Sequence, residues 1–168
     1  AIRADLGLDQ PIAVRYVSYL SGVFTGDLGE SYYSKQPVIT EIVDRLPSTL
    51  ELVFLGVVVA IVIGVILGTI GGYFRGRWPE SASRGFASVL QAIPDFFFGL
   101  LLILIFFFYL DIAPAPSGQL DILITPPDQV TGFVPIDALI AGDTEAFTNS
   151  LSHLVLPVLT LGLVYAGY

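Results

Sequence analysis

Ser81, Arg84, Ser88, Gln91 and Asp95 recur at spacings of 3, 4, 3 and 4, which would set them along one stripe of a helix. Asp95 is the one charged residue between Phe86 and Leu110. A carboxylate within so apolar a run costs several kcal/mol unless it faces water, a partner or a proton. The chemistry such a stripe offers is that of a polar path, with Gln91 and Asp95 as candidate lining residues of a water-filled vestibule. The alternative is a helix that re-enters at the interface before Pro94, with the span proper starting at Phe96 and Asp95 snorkelling. Phe96 to Leu110 is short for a full crossing, which favours the vestibule.

Catalytic chemistry finds little to work with. The sequence contains no G-x-x-x-x-G-K-[ST] phosphate loop, no H-E-x-x-H and no G-x-S-x-G, and no second intramembrane aspartate accompanies Asp95. With no cysteine there is neither a disulfide nor a thiolate metal site, and one histidine leaves little for a zinc centre. No catalytic, cofactor-binding or metal-ligating residue is therefore expected. His153 falls at the outer mouth of the third apolar segment, where an interfacial imidazole is the ordinary reading and a pH sensor the functional one.

The elements that must position these residues are membrane helices. Leu52 to Phe74 carries no charge, and as a helix it would rise about 35 Å, enough to cross a hydrocarbon core of about 30 Å. The expected fold is an all-α polytopic bundle: an external region over 1–48 with amphipathic helices, a transmembrane helix over 49–74, a short loop over 75–85, a second transmembrane helix over 86–110, an acidic external loop over 111–150, and the start of a third helix over 151–168. Asp9-Gln10-Pro11 opens the first amphipathic stretch, Thr25 to Gly29 turns the chain, and Val38 to Leu46 forms the second, ending at Pro47. Ser48-Thr49-Leu50-Glu51 fits a capping box that would start the first span at Thr49. Within that span Gly56, Ala60, Gly64, Gly68 and Gly72 recur every four residues, a face of small side chains suited to close helix packing in lipid.

Charge sets the orientation. All 7 basic residues precede residue 85, and Arg75, Arg77 and Arg84 form the cluster between the first two spans, so that loop is cytoplasmic and both flanking regions are external. The net charge of −8 fits acidic external loops, or equally the acidic surfaces favoured at high salt. The sequence lacks methionine and ends within an apolar run, as a fragment would whose third crossing is cut short and whose external start follows an upstream transmembrane helix. The bilayer is the expected surrounding, and no nucleic acid is expected as a partner.

Leu8-Asp9-Gln10-Pro11, Tyr16, Gly26-Asp27-Leu28-Gly29-Glu30-Ser31, Gln36-Pro37-Val38 and Arg45-Leu46-Pro47-Ser48-Thr49-Leu50-Glu51-Leu52 resemble, in order, the first half of the inner-membrane permease of dipeptide, oligopeptide and nickel importers of the ATP-binding cassette class. Ala92-Ile93-Pro94-Asp95-Phe96 resembles that family's Ser-Ile-Pro-x-Phe element, with alanine for serine, and His153 to Leu161 resembles a further stretch. The resemblance implies one subunit of a six-helix permease, working with a homologous second permease, two cytoplasmic ATPases that hold ATP and Mg, and an external substrate-binding protein. It implies that this chain supplies walls for the path and no ATPase site of its own. A channel or other transporter subunit, with Gln91 and Asp95 on a pore-lining stripe, is the other reading.

Overall fold

The computed structural model describes residues 11–168. Asp9 and Gln10, expected to open the first helix, lie outside the described residues. The chain divides into two compact units, Ala1–Leu46 and Pro47–Tyr168. Among the described residues every regular element is helical apart from one isolated antiparallel bridge between Glu30 and Pro37, so the all-α expectation holds.

In the first unit, α1 (Ile12–Thr25) follows Pro11, whose fixed φ suits a helix start. It stops at Gly26, which adopts a left-handed φ of 84°, and the amide of Asp27 returns to the carbonyl of Gly22 at 2.8 Å.

The next helix, α2 (Val38–Tyr73), runs for 36 residues with Pro47 inside it. This corrects the capping-box expectation: no helix starts at Thr49. A single proline removes one backbone donor and can be carried by a long helix. Ser48, freed from capping, donates instead to Gln119 Oε1 at 3.2 Å.

The stretch 86–110 departs further from expectation. α3 (Trp78–Ala92) ends at Ile93, which is extended at φ −93° and ψ 128°, and α4 (Asp95–Leu102) begins after Pro94. The ring of a proline disfavours helical φ/ψ at the residue before it, and Pro94 lacks the donor that would have continued the ladder. The two helices meet at a bend of 103°. The five-residue polar stripe is thus divided, with Ser81, Arg84, Ser88 and Gln91 on α3 and Asp95 opening α4. A π-helical segment (Ile103–Tyr109) continues α4, a geometry frequent at functional sites.

After an irregular stretch come α5 (Val134–Ala141) and α6 (Thr144–Ala166), the latter 23 residues long. The side chain of Asp143 accepts from the amide of Ala146 at 2.9 Å, an N-cap that starts α6 well before the apolar run at Leu154. By length and composition α2 and α6 can each cross a membrane, and the bent pair of α3 with α4 and its π continuation makes up to three. In the second unit α3, α4 and α5 all pack on α6, which is why it holds more buried residues than any other described helix: Ala146, Ser150, His153, Gly162 and Val164.

Candidate functional site

Gly99 on α4 faces Thr160 on α6 so closely that a Cβ there would lie 3.4 Å from the threonine methyl. That approach holds the start of α4 against α6. Beside it lies a cavity of about 470 Å³. Asp95, Phe96 and Ile103 form one wall, His153, Leu156 and Pro157 another, and Leu52 of α2 contributes from the side. Pro114, Ala115, Pro116 and Gly118 roof it from the 111–133 segment. The lining is mainly apolar, with Asp95 and His153 as its ionisable groups.

The roof is pinned at two points. Gln119 is held by Ser48 of α2. Asp121 is clasped by α6: its amide donates to Asn149 Oδ1 at 2.9 Å, its Oδ2 accepts from Asn149 Nδ2 at 2.6 Å, and its Oδ1 lies 3.2 Å from His153 Nε2. Asn149 and His153 are four residues apart on one helix face, which is what lets them grip a single carboxylate. His153 is buried while the Asp121 side chain is 46% exposed. The histidine at the helix mouth is therefore a tie between roof and wall. Sequence reasoning missed Asp121 because nothing local marks one acid of an acidic loop as the partner of helix residues 28 and 32 positions away.

A second anchor lies further along the same segment. Asp137, buried at the start of α5, accepts from the Thr131 amide at 2.7 Å, the Thr131 hydroxyl at 2.6 Å and the Gly132 amide at 3.0 Å. Burial pushes its carboxyl up, but the hydrogen bonds from Thr131, Gly132 and Val130 together outweigh it and hold the group below the usual aspartate range. Gly132 sits at φ +83°, and a Cβ there would come within 2.7 Å of Pro47 Cγ, so both its conformation and its space require glycine.

The residues proposed from sequence are not brought together. Asp95 lines the cavity, exposed at the first turn of α4. Gln91 lies outside that cavity, and its side-chain amide donates to the carbonyl of Gly167, joining the end of α3 to the end of α6. The glycine face divides as well. Gly56 is buried, its missing Cβ 3.0 Å from Leu161 Cβ, and Ala60 is half-buried. Gly64 meets only the Ala166 carbonyl at 3.7 Å, and nothing lies within 4 Å of a Cβ at Gly68 or Gly72. The partner of Gly56 is Gly162 of α6, where a Cβ would fall 2.4 Å from Val59 Cγ1. Glu51, read from sequence as a capping acid, is half-buried beside Phe54, Phe133 and Ile136, and its Oε2 has no hydrogen-bond partner among the described residues. Among those residues no cluster of three or more His, Cys, Asp or Glu could hold a metal ion.

Comparison with known proteins adds the context. Residues 45–168 match the family described as binding-protein-dependent transport system inner membrane component, and residues 1–53 match the N-terminal region model of such membrane components. The chain is 43% identical over 166 residues, 99% of its length and 48% of the relative's, to a probable D,D-dipeptide transport system permease protein of Escherichia coli (strain K12). It is 33% identical over 163 residues to the dipeptide transport system permease protein of the same strain, covering 96% of this chain and 48% of that one. A di/tripeptide transport system permease protein of Pseudomonas aeruginosa (strain UCBPP-PA14) is 33% identical over 159 residues, 95% of this chain and 47% of the relative. The chain spans about half the length of the curated relatives it matches.

Proposed function

The chain belongs to the binding-protein-dependent transport system inner membrane components, multi-pass proteins of the plasma membrane, and from that membership we propose that it forms part of the transmembrane path of an ATP-driven importer of short peptides. The observation that carries this reading is the 43% identity to a D,D-dipeptide permease along 99% of the chain. Related small solutes, nickel chelates among them, remain within the same proposal. ATP and Mg would be bound and used by two cytoplasmic ATPase subunits, a homologous permease would complete the path, and an external binding protein would deliver the solute.

The chain's own contribution would be mechanical and selective. The apolar cavity suits the side chains of a small peptide, and Asp95 at the head of α4 suits a cationic or hydrogen-bonding group. Gln91 would act at the α3–α6 joint, where a change in the bend at Pro94 would be felt first. Alternating access requires contacts that differ between the two end states, and the roof tie at Asp121 and the joint at Gln91 are the candidates at the two ends of the bundle.

The test is uptake of a labelled dipeptide by proteoliposomes holding the full permease pair, both ATPases and the binding protein. Uptake should require ATP and binding protein, and Asp95→Asn should change the rate with the protein still folded, since neutralising an intramembrane charge relieves cost. Solute flux that persists without ATP would refute an importer and favour a channel.

A further inference from the structure

Asp95 and His153 are the ionisable groups of the cavity between α4 and α6, and they stand in opposite condition. His153 is spent on the roof: its Nε2 lies 3.2 Å from Asp121 Oδ1, and a neutral ring that donates there leaves Nδ1 an acceptor. The Asp95 carboxylate has no hydrogen bond or ion pair among the described residues. The two hydroxyls of the lining spend their donors on the backbone of α6, Ser152 on the Asn149 carbonyl at 2.6 Å and Thr160 on that of Leu156 at 2.8 Å. Among the described residues no lysine or arginine lines the cavity.

The lining side chains thus present acceptors, one unanswered negative charge and no free donor. Such a lining complements an ammonium group, which has three donors and no acceptor. It is a poor host for a carboxylate. The first-turn amides of α4 are donors without helical partners, but Asp95 stands on that same turn, and its charge opposes a second anion beside it. The rest of the wall is apolar, and about 470 Å³ falls within the range of small-molecule sites, about 300–1,000 Å³. The group that brings the ammonium can therefore bring an apolar side chain with it.

We propose that this cavity takes the amino end of a peptide, its ammonium on Asp95 and its first side chain against Phe96, Ile103 and Leu156, and leaves the carboxylate end outside. The inference rests on the reading of the chain as a permease for short peptides and adds which end of the peptide this chain grips. Asp95 is then a specificity-determining residue, and what the peptide's far end meets is left to surfaces outside this cavity.

The test is equilibrium dialysis against the assembled importer in nanodiscs, permease pair with both ATPases, without ATP and without the binding protein, so that the binding protein's own preferences do not enter. The probe is radiolabelled α-aminoisobutyryl-glycine, whose apolar first residue has no handedness, together with its N-acetyl and its C-terminal amide forms. Acetylation should weaken binding by about 10- to 100-fold, the worth of a hydrogen bond to a charged group. Amidation should leave it within about 2-fold, well below the effect of one such bond. Asp95→Asn should weaken the free peptide to the level of the acetylated one and remove the difference between them, while Asp95→Glu should keep most of it. Because Asp95 has no partner to lose among the described residues, the asparagine variant should fold, and the acetylated probe makes the same comparison on the unaltered protein.

A preference for the free amino end that survives Asp95→Asn would place its recognition elsewhere and overturn the proposal. Amidation more damaging than acetylation would mean that the carboxylate end is gripped, and overturns it too. No binding of any probe, with ATP-driven dipeptide uptake intact in the complete system, would remove this site and leave the importer reading standing. Asp95-dependent binding of the free peptide without ATP-driven uptake would do the reverse, keeping the amino-end site and removing the importer.

Discussion

Gly162→Ala places one carbon where the structure has no room for it. The new Cβ would lie 2.4 Å from Val59 Cγ1, 2.7 Å from Val59 Cβ and 3.4 Å from the Gly56 carbonyl. Turning the valine about χ1 moves the methyl but leaves its Cβ in place, so α2 and α6 must separate. Overpacking of this kind costs about 1–3 kcal/mol, and the gain in helix propensity on replacing glycine offsets up to about 1 kcal/mol. A net loss of about 1–2 kcal/mol is expected, a 5- to 30-fold shift in the unfolding equilibrium. Gly68→Ala is the control on the same glycine face of α2: with nothing within 4 Å it keeps the propensity gain and should be neutral or stabilising by up to about 1 kcal/mol. Val59→Ala combined with Gly162→Ala should recover part of the loss, because the 2.7 Å Cβ approach remains. Reversible denaturation of the purified protein in mixed micelles reads all three. Gly162→Ala with wild-type stability, or Gly68→Ala equally damaging, would refute the assignment of the α2–α6 crossing to Gly56 and Gly162.

Three further outcomes are expected. Asp121→Ala strips partners from Asn149 and the buried His153, a loss of about 1–3 kcal/mol, and should raise hydrogen exchange over residues 114–121 without changing the α2–α6 crossing; unchanged exchange would show the tie is not what holds the roof. The amides of Thr131 and Gly132 should stay protected above the ordinary aspartate value of 3.8 and lose protection as pH falls through the lowered value of folded Asp137, since a depressed carboxyl stabilises only while ionised; Asp137→Asn should remove the pH dependence, and its persistence would point to another group. Cysteines replacing the exposed Ser81 should be labelled from the cytoplasmic side alone, and those at Ser34 or Ser117 from outside alone; labelling of position 117 from inside would reverse the orientation.

The class of protein and the apolar stretch of α2 were legible in the sequence, because a bilayer imposes a one-dimensional constraint, a length of apolar chain. The start of α1 after Pro11 was legible for the same local reason, a fixed φ at the first turn. Pro94 was visible too, but the 3-4 spacing of Ser81 to Asp95 presumes an unbroken helix, and at Pro94, unlike Pro47, the preceding residue is extended and the helix breaks. Local sequence marked Ser48 and Glu51 as a cap, yet the helix runs on from Val38 through Pro47 to Tyr73 and Ser48 donates to Gln119 instead. The glycine repeat was plain, but five equivalent small residues cannot say which of them is crossed. That depends on where α6 lies, and it meets Gly56 through Gly162 and leaves Gly68 and Gly72 open. Only the tertiary structure could select Asp121 among the acids of its loop, since a hydrogen bond that closes a long loop is set by where two helices and a roof come to rest, and no local propensity encodes that placement.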